Sequence, residues 1–460
     1  MSRDRRLLVV GLALVAVLGC GPAVQPETSS PSPAATPSSS IPASSATPVG
    51  PSPAASTTAG AARLADLAYL VEELKDIHPN PFLDEGEASF MARVQAIEIR
   101  ADTLTDTGFL VAVMELMGHR ERDGHSGAWA MAQPGERLHA WPIWLWDFPD
   151  GLRVVEARAP DDDLIGARLV QVGDVTVEEA SAAVEPLVPR DNDSTLRANL
   201  PMYLTVPEVL DELGLREPGG PGLTFELLDG SMRELTSEPL PMPDFFAWVT
   251  EAYGLGFPTG LPPDDGGPLY LRNRDLAFWT EPLTAPAGIY VGYNEVRRSN
   301  EEGETIGGLA FDILQAAPLE PDQPFVIDLR NNPGGDNTTF RPLRDAVERM
   351  ARDRPDRVSI IASRSTFSAA GNFITDLLVG PEGGKMRLVG EAPGGGLNIY
   401  GDVRVVTLPA SGIVVLVSEV YHPRARGDDR LALPPDIPAE VTWKDYAAGR
   451  DPVLEAALGD

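Results

Sequence analysis

The 460-residue chain has a single cysteine, Cys20, which excludes an internal disulfide, a cysteine-built metal cluster and a thiol-protease triad within one chain. Basic residues are scarce as well. The 37 Lys+Arg against 68 Asp+Glu leave a net charge of −31, which favours solubility and repels nucleic acid, so no nucleic-acid partner is expected. Metal chemistry has no support in the sequence. No histidine pair has zinc spacing, and the acidic stretches "APDDDLIG" and "PPDDGG" lack the alternating ligands and terminal glutamate of a calcium loop. Neither a metal nor another cofactor is expected.

What remains is of ordinary globular composition, 43% hydrophobic and 23% charged, and long enough for two or three domains. The first 20 residues, "MSRDRRLLVVGLALVAVLGC", combine early arginines, an apolar run too short for a comfortable membrane span, and a small residue before Cys20. The ending Val17-Leu18-Gly19-Cys20 resembles the lipobox of bacterial lipoproteins, in which the cysteine is lipid-modified and becomes the new N-terminus. That resemblance implies an exported protein held at a cell-envelope membrane through Cys20. Residues 21–62 are Pro, Ser, Thr and Ala with almost no large apolar side chain and cannot bury a core. They read as a disordered tether with a reach on the order of 100 Å.

Residues 63–131 carry apolar residues at helical spacing ("LADLAYLVEELKDIH", "FLVAVMELMGHRERDGH"), broken at Asp123-Gly124. From about residue 132 to 243 the period shortens to strands, with a helix expected over 206–213 and a hairpin turn at Asp229-Gly230. The stretch "GLRVVEARAPDDDLIGARLVQVGDVTVEEA" resembles a PDZ domain, a module that binds peptide ends by strand addition. The Trp-rich "AWPIWLWDF" alternates like a half-buried strand. After a Gly/Pro-rich break, residues 268–460 alternate Val/Ile-rich runs with amphipathic helices. This pattern predicts an α/β fold with a largely parallel sheet covered on both faces and ligands at the strands' C-terminal ends.

Two of those strand ends stand out. "PFVIDLRNNPGGDNTTF" runs from a strand into Gly334-Gly335, where backbone N–H groups can turn toward an anion. "RVSIIASRSTFSAAGNF" places Ser368 between a strand and a helix, among small neighbours that let its hydroxyl and the next amide project together. Alone, a Gly-Gly pair is a tight turn and a serine a helix N-cap. Side by side they supply a nucleophile and two oxyanion donors.

The segments "DLRNNPGG" (328–335), "TFSAA" (366–370), "VGEAPGGGLNIYG" (389–401), "PPDI" (434–437) and "DPVLEAAL" (451–458), with "DGHS" (123–126) upstream, resemble the tail-specific serine peptidases, relatives of tricorn core protease and interphotoreceptor retinoid-binding protein. The resemblance implies a crotonase- or ClpP-like catalytic domain acting on peptide or protein substrates, with Ser368 as nucleophile. The Ala369 amide and Gly334 or Gly335 would form the oxyanion hole. In the tail-specific branch the base is a lysine in a Gly-Lys-Gly turn, which here reads Gly394-Gly395-Gly396. Of the chain's three lysines, Lys75, Lys385 and Lys444, the nearest, Lys385, precedes that strand. The tricorn-like branch instead draws a histidine from an Asp-Gly-His motif, which implies His125 as base, and imidazole suits proton transfer near neutral pH. The other four histidines, His78, His119, His139 and His422, read as packing or surface groups. By the same branch's spacing Asp429 would orient the imidazole, with Asp428 beside it as the alternative. The site lacks the Gly-x-Ser-x-Gly elbow of esterases. A non-catalytic envelope binding protein that keeps the fold is the second reading, as the retinoid-binding relative suggests.

Overall fold

The computed structural model describes residues 59–459 apart from 119, 121, 254–259 and 316–321, so Cys20, the signal segment, His119 and nearly all of the tether lie outside the described residues. Three helices open it: α1 (Ala59–Ile77), α2 (Glu87–Glu98) and α3 (Asp106–Gly118). Helix α1 begins inside the last residues read as tether, because the Ala-Gly-Ala-Ala run has enough helix propensity to extend the turn. It buries Leu67, Leu70, Val71 and Leu74 along one side.

The β-rich region is an antiparallel sheet of β1 (Ile143–Phe148), β2 (Gly151–Ala157), β3 (Arg168–Val172), β4 (Leu223–Glu226) and β5 (Met232–Glu234), in that spatial order. The β4–β5 turn holds Gly230 at φ 84°, as the Asp-Gly signal predicts. Between β3 and β4 lie α4 (Val177–Val184), opened by a Thr176/Glu179 capping box, then α5 (Asp193–Tyr203) and α6 (Pro207–Glu212). Leu70, Met114, Val154 and Phe225 belong to one continuous apolar core, which the helical and β-rich regions therefore share.

The last segment builds a six-stranded sheet from β6 (Phe278–Thr284), β7 (Ala287–Tyr293), β8 (Phe325–Asp328), β9 (Val358–Ala362), β10 (Met386–Gly390) and β13 (Ile437–Pro438), ordered β13-β10-β9-β8-β7-β6. All pairings are parallel except β6 with β7. Along β7 to β10 the order never reverses, so right-handed crossovers put α7 (Ile306–Gln315), α8 (Arg341–Asp353) and α9 (Ser368–Val379) on one face. Strand residues alternate accordingly. Ile327, Ile360 and Leu388 meet those helices, whereas Val326, Ile361 and Val389 pack under Val453 and Ala457 of α10 (Pro452–Leu458). Both faces are thus covered, as the near-continuous apolar strands require.

A two-stranded arm of β11 (Asn398–Thr407) and β12 (Val414–Pro423) leaves this sheet and buries Val406, Val415 and Val417 in the core of the helical region. Asp66 of α1 accepts the Ala410 and Ser411 amides at the arm's tip, at 2.8 Å each. Through this arm the helical region and the parallel-sheet domain are held together.

Two of the motifs quoted above meet in a buried ion network. Arg330 forks between Asp328 and Asp451, with N–O distances of 2.6 to 3.1 Å, and lies 4.3 Å above the Tyr270 ring. Asp451 also caps α10 through Leu454 N–H. Arg330→Ala is expected to cost about 3–5 kcal/mol in urea unfolding, because two buried carboxylates lose their common partner.

Candidate active site

Ser368 is the first residue of α9, directly after the loop that leaves β9. Its φ of 51° lies in the left-handed region, a strained position for a serine at a strand-to-helix junction. The loop is laced to the glycine loop after β8. Thr366 Oγ donates to Leu329 O (2.8 Å), Ser363 Oγ to Arg330 O (2.6 Å), and Phe367 N–H to Asn332 O (3.0 Å). Space for this contact depends on glycine: a Cβ on Gly334 would lie 2.6 Å from Ser368 Cβ.

His125 Nε2 lies 2.9 Å from Ser368 Oγ, although 243 residues separate the two in sequence. Its ring stacks on Phe367 at 4.5 Å. The Asp-Gly-His-Ser motif is anchored at several points. The Asp123 carboxylate accepts from Ser126 N–H (3.1 Å), Ser418 Oγ (2.8 Å), Arg120 (3.3 Å) and His78 Nε2 (3.0 Å). Gly124 N–H donates to Asp191, Ser126 Oγ accepts from Ser418 N–H, and Gly127 pairs with Leu416 of β12. Burial opposes ionisation of Asp123, but the bonds from His78 and Arg120 outweigh it and hold the carboxyl well below the usual range.

His78 is therefore more than packing. Asn80 N–H donates to its Nδ1 at 2.9 Å, which leaves Nε2 to carry the proton given to Asp123. The sequence signal was only a histidine before proline. His422 bonds Asp402 (3.1 Å) and His139 bonds Glu208 (2.7 Å).

Burial pushes the His125 imidazole down to about 4; Asp123 and Asp402 oppose this and His422 reinforces it. The residue is half-buried in surface terms, but protein atoms surround the ring closely enough for desolvation to dominate. Its Nδ1 makes no well-aligned hydrogen bond; the polar group acting on it is the Tyr400 backbone.

The expected orienting acid is not brought to His125. Asp429 is exposed, Asp428 is engaged by Arg430 at 2.6 Å, and among the described residues neither bonds to the imidazole. The loop over 426–430 turns toward solvent, leaving Asp429 exposed and Asp428 paired with Arg430. Lys385 is also remote in function: it forms a surface pair with Glu382 (2.8 Å). The Gly394-Gly395-Gly396 turn does reach the serine, since a Cβ on Gly395 would lie 3.2 Å from Ser368 N.

Of the expected oxyanion donors, Ala369 N–H lies in the first turn of α9, next to Ser368. Gly334 N–H donates to Asn332 Oδ1 at 2.9 Å, and the Asn332 amide is itself fixed on Tyr293 O. Gly335, at φ 132°, is pressed against Val296, whose carbonyl a Cβ would meet at 2.2 Å. Among the described residues no group of three His, Cys, Asp or Glu is placed to hold a metal ion, and no helix is long and apolar enough to cross a membrane.

No protein-family model and no curated protein matches the sequence. Among solved structures, a point mutant of cpaf superposes with a TM-score of 0.59 at 12% identity, over 87% of this chain and 97% of that one. A candidate peptidase from Parabacteroides merdae (TM-score 0.31, 16% identity, 62% of this chain and 89% of that one) also matches. So does tricorn protease (0.30, 13%, 86% and 36%). The chain is thus a mixed α/β protein with a mostly parallel sheet. The particular fold is the one seen in cpaf.

Proposed function

We propose that the protein is a serine peptidase that cleaves peptide bonds through an acyl-enzyme on Ser368, with His125 as general base. The observation that carries the reading is the 2.9 Å approach of His125 Nε2 to the hydroxyl of a serine seated at a helix N-terminus. His125 Nε2 takes the proton from Ser368 Oγ as the oxygen attacks the substrate carbonyl. The developing oxyanion is held by the Ala369 amide together with an amide of the glycine loop, from Gly334 or Gly335. His125 then returns the proton to the leaving amine, and a water activated by the same nitrogen releases the acid product. In place of a carboxylate, the Tyr400 backbone and the stacked Phe367 ring orient the imidazole.

The export signal and lipobox-like ending support a protein tethered outside the cytoplasm through a lipid on Cys20, with the β-rich, PDZ-like region available for peptide ends. Incubating the protein with denatured casein tests the reading: serine-dependent fragments are expected, and hydrolysis of small esters without any peptide cleavage would overturn it.

The base must be neutral to accept a proton, and the burial of His125 keeps it neutral well into the acid range. Final loss of kcat/KM on acidification is therefore expected near pH 4 rather than at the ordinary histidine value of about 6.5. A rate profile from pH 3.5 to 8 checks this; complete loss already by pH 6 would contradict it.

A further inference from the structure

Asp191 lies in the segment leading into α5, far from every motif read in the sequence, and is only 2% exposed. Its Oδ1 accepts Gly124 N–H at 2.6 Å, and its Oδ2 accepts Gly396 N–H at 3.2 Å. Gly124 immediately precedes His125. Gly396 closes the glycine turn whose Gly395 backs onto Ser368 N and donates its own N–H to Thr366 O at 3.0 Å. One carboxylate thus grips the loop of the base with one oxygen and the turn behind the nucleophile with the other.

The neighbouring residues strengthen the grip. Asn192 Nδ2 donates to Pro393 O (3.2 Å) and Leu431 O (3.1 Å), and Thr195 Oγ donates to Gly394 O. Asn192 also caps α5 by accepting Thr195 N–H at 3.0 Å, so the clamp is continuous with a helix. The close approach explains Gly124: a Cβ there would lie 2.9 Å from Asp191 N and 3.1 Å from both Asp191 Oδ1 and the Phe367 ring.

We infer that Asp191 is a positioning residue for the Ser368–His125 pair, setting the separation of base and nucleophile by bridging Gly124 and Gly396. The inference rests on the reading of Ser368 and His125 as nucleophile and base. Asp191 touches neither reacting atom and acts through the two loops.

The clamp has a protonation dependence of its own. Burial pushes the Asp191 carboxyl up to about 7; the Gly124 and Gly396 amides oppose this, while the Asp123 carboxylate adds to it. Of the charged groups around it, Asp123 lies on the histidine loop and Arg190 on its own segment, paired with Glu185 at 3.3 Å; the glycine turn presents backbone amides. Ionised, the carboxylate accepts from both amides. Protonated, one oxygen becomes a donor facing an N–H and the grip on that side weakens. Rate should therefore step upward as pH rises through neutrality, separately from the His125 titration near 4.

The test compares full-length wild type and Asp191→Asn, measuring second-order labelling by a fluorophosphonate between pH 5 and 9. The carboxamide copies the protonated acid in shape, so at pH 8 it should react about tenfold more slowly than wild type, in line with the cost of slight misplacement. Its profile should be flat where wild type steps. Labelling at the wild-type rate, or a slower rate that keeps the step, overturns the inference. Amide hydrogen exchange at Gly124 and Gly396 supplies a readout free of chemistry. Faster exchange in Asp191→Asn is expected, and unchanged exchange overturns the clamp even if wild type itself fails to label, the outcome that would remove the peptidase reading.

Discussion

Ser368→Ala and His125→Ala should each lower kcat for peptide hydrolysis by about five to six orders of magnitude, and the double variant should be no worse than either single one. On the proposed mechanism the pair works as a unit: without Oγ there is no bond to form, and without Nε2 at 2.9 Å the hydroxyl stays protonated. Neither change creates a large void or strands a buried charge, so unfolding transitions should stay close to wild type. Lys385→Ala is the matched control. Its ammonium is held in a surface pair with Glu382, and its removal should leave kcat within about twofold of wild type, as is usual for exposed ion pairs. Additive losses in the double variant, or a large loss with Lys385→Ala, would show that the base has been wrongly assigned.

On the proposed mechanism Gly335→Ala should reduce kcat/KM by about 10²–10³-fold, because displacing the glycine loop removes its contribution to the oxyanion hole. At φ 132° the backbone is in a region that only glycine occupies comfortably, and the new Cβ would start 2.2 Å from the Val296 carbonyl oxygen. The loop must shift, moving the Gly334 and Gly335 amides together relative to Ser368. Because the substrate carbonyl makes its strongest contact there only in the transition state, the loss should fall on kcat, with KM changed little. Steady-state kinetics with a fluorogenic peptide decide the point; a loss confined to KM would mean that the loop binds substrate without stabilising the oxyanion.

The parts of this architecture that repeat along the chain were legible in the sequence. Val/Ile runs separated by amphipathic helices declared a parallel sheet, and the residues after two strands, Gly334-Gly335 and Ser368, identified the end of that sheet where a site would form. The approach of His125 to Ser368 was legible only through the resemblance carried by its Asp-Gly-His context. What escaped were buried polar groups that join segments far apart in sequence. His78, Asp191 and Ser418 follow no period, and each does its work through a single hydrogen bond or a few to a loop that only the folded chain brings close. The Asp429 assignment failed for a related reason. Counting residues back from Pro435-Asp436 gives a position along the chain but not the direction in which a surface loop turns. The one-sided placement of α7, α8 and α9 was also invisible locally, since it follows from strand order, which is a property of the whole sheet.

The β11–β12 arm explains how residues 243 positions apart form one site. It belongs to the sequence of the parallel-sheet domain but packs its Val406, Val415 and Val417 into the core of the helical region. Through the Gly127–Leu416 pairing it fixes the strand of backbone from which His125 projects. The histidine is thus positioned by hydrophobic burial some distance away, and its ring needs only local contacts with Phe367 and the Tyr400 backbone to settle its direction.

The most direct test of the central claim is mass mapping of the protein after reaction with a fluorophosphonate. A phosphonyl adduct on the peptide that contains Ser368, absent from Ser368→Ala and His125→Ala and retained in Lys385→Ala, is the predicted result. A folded wild-type protein that takes up no adduct, or takes it up on a different serine, would contradict the account.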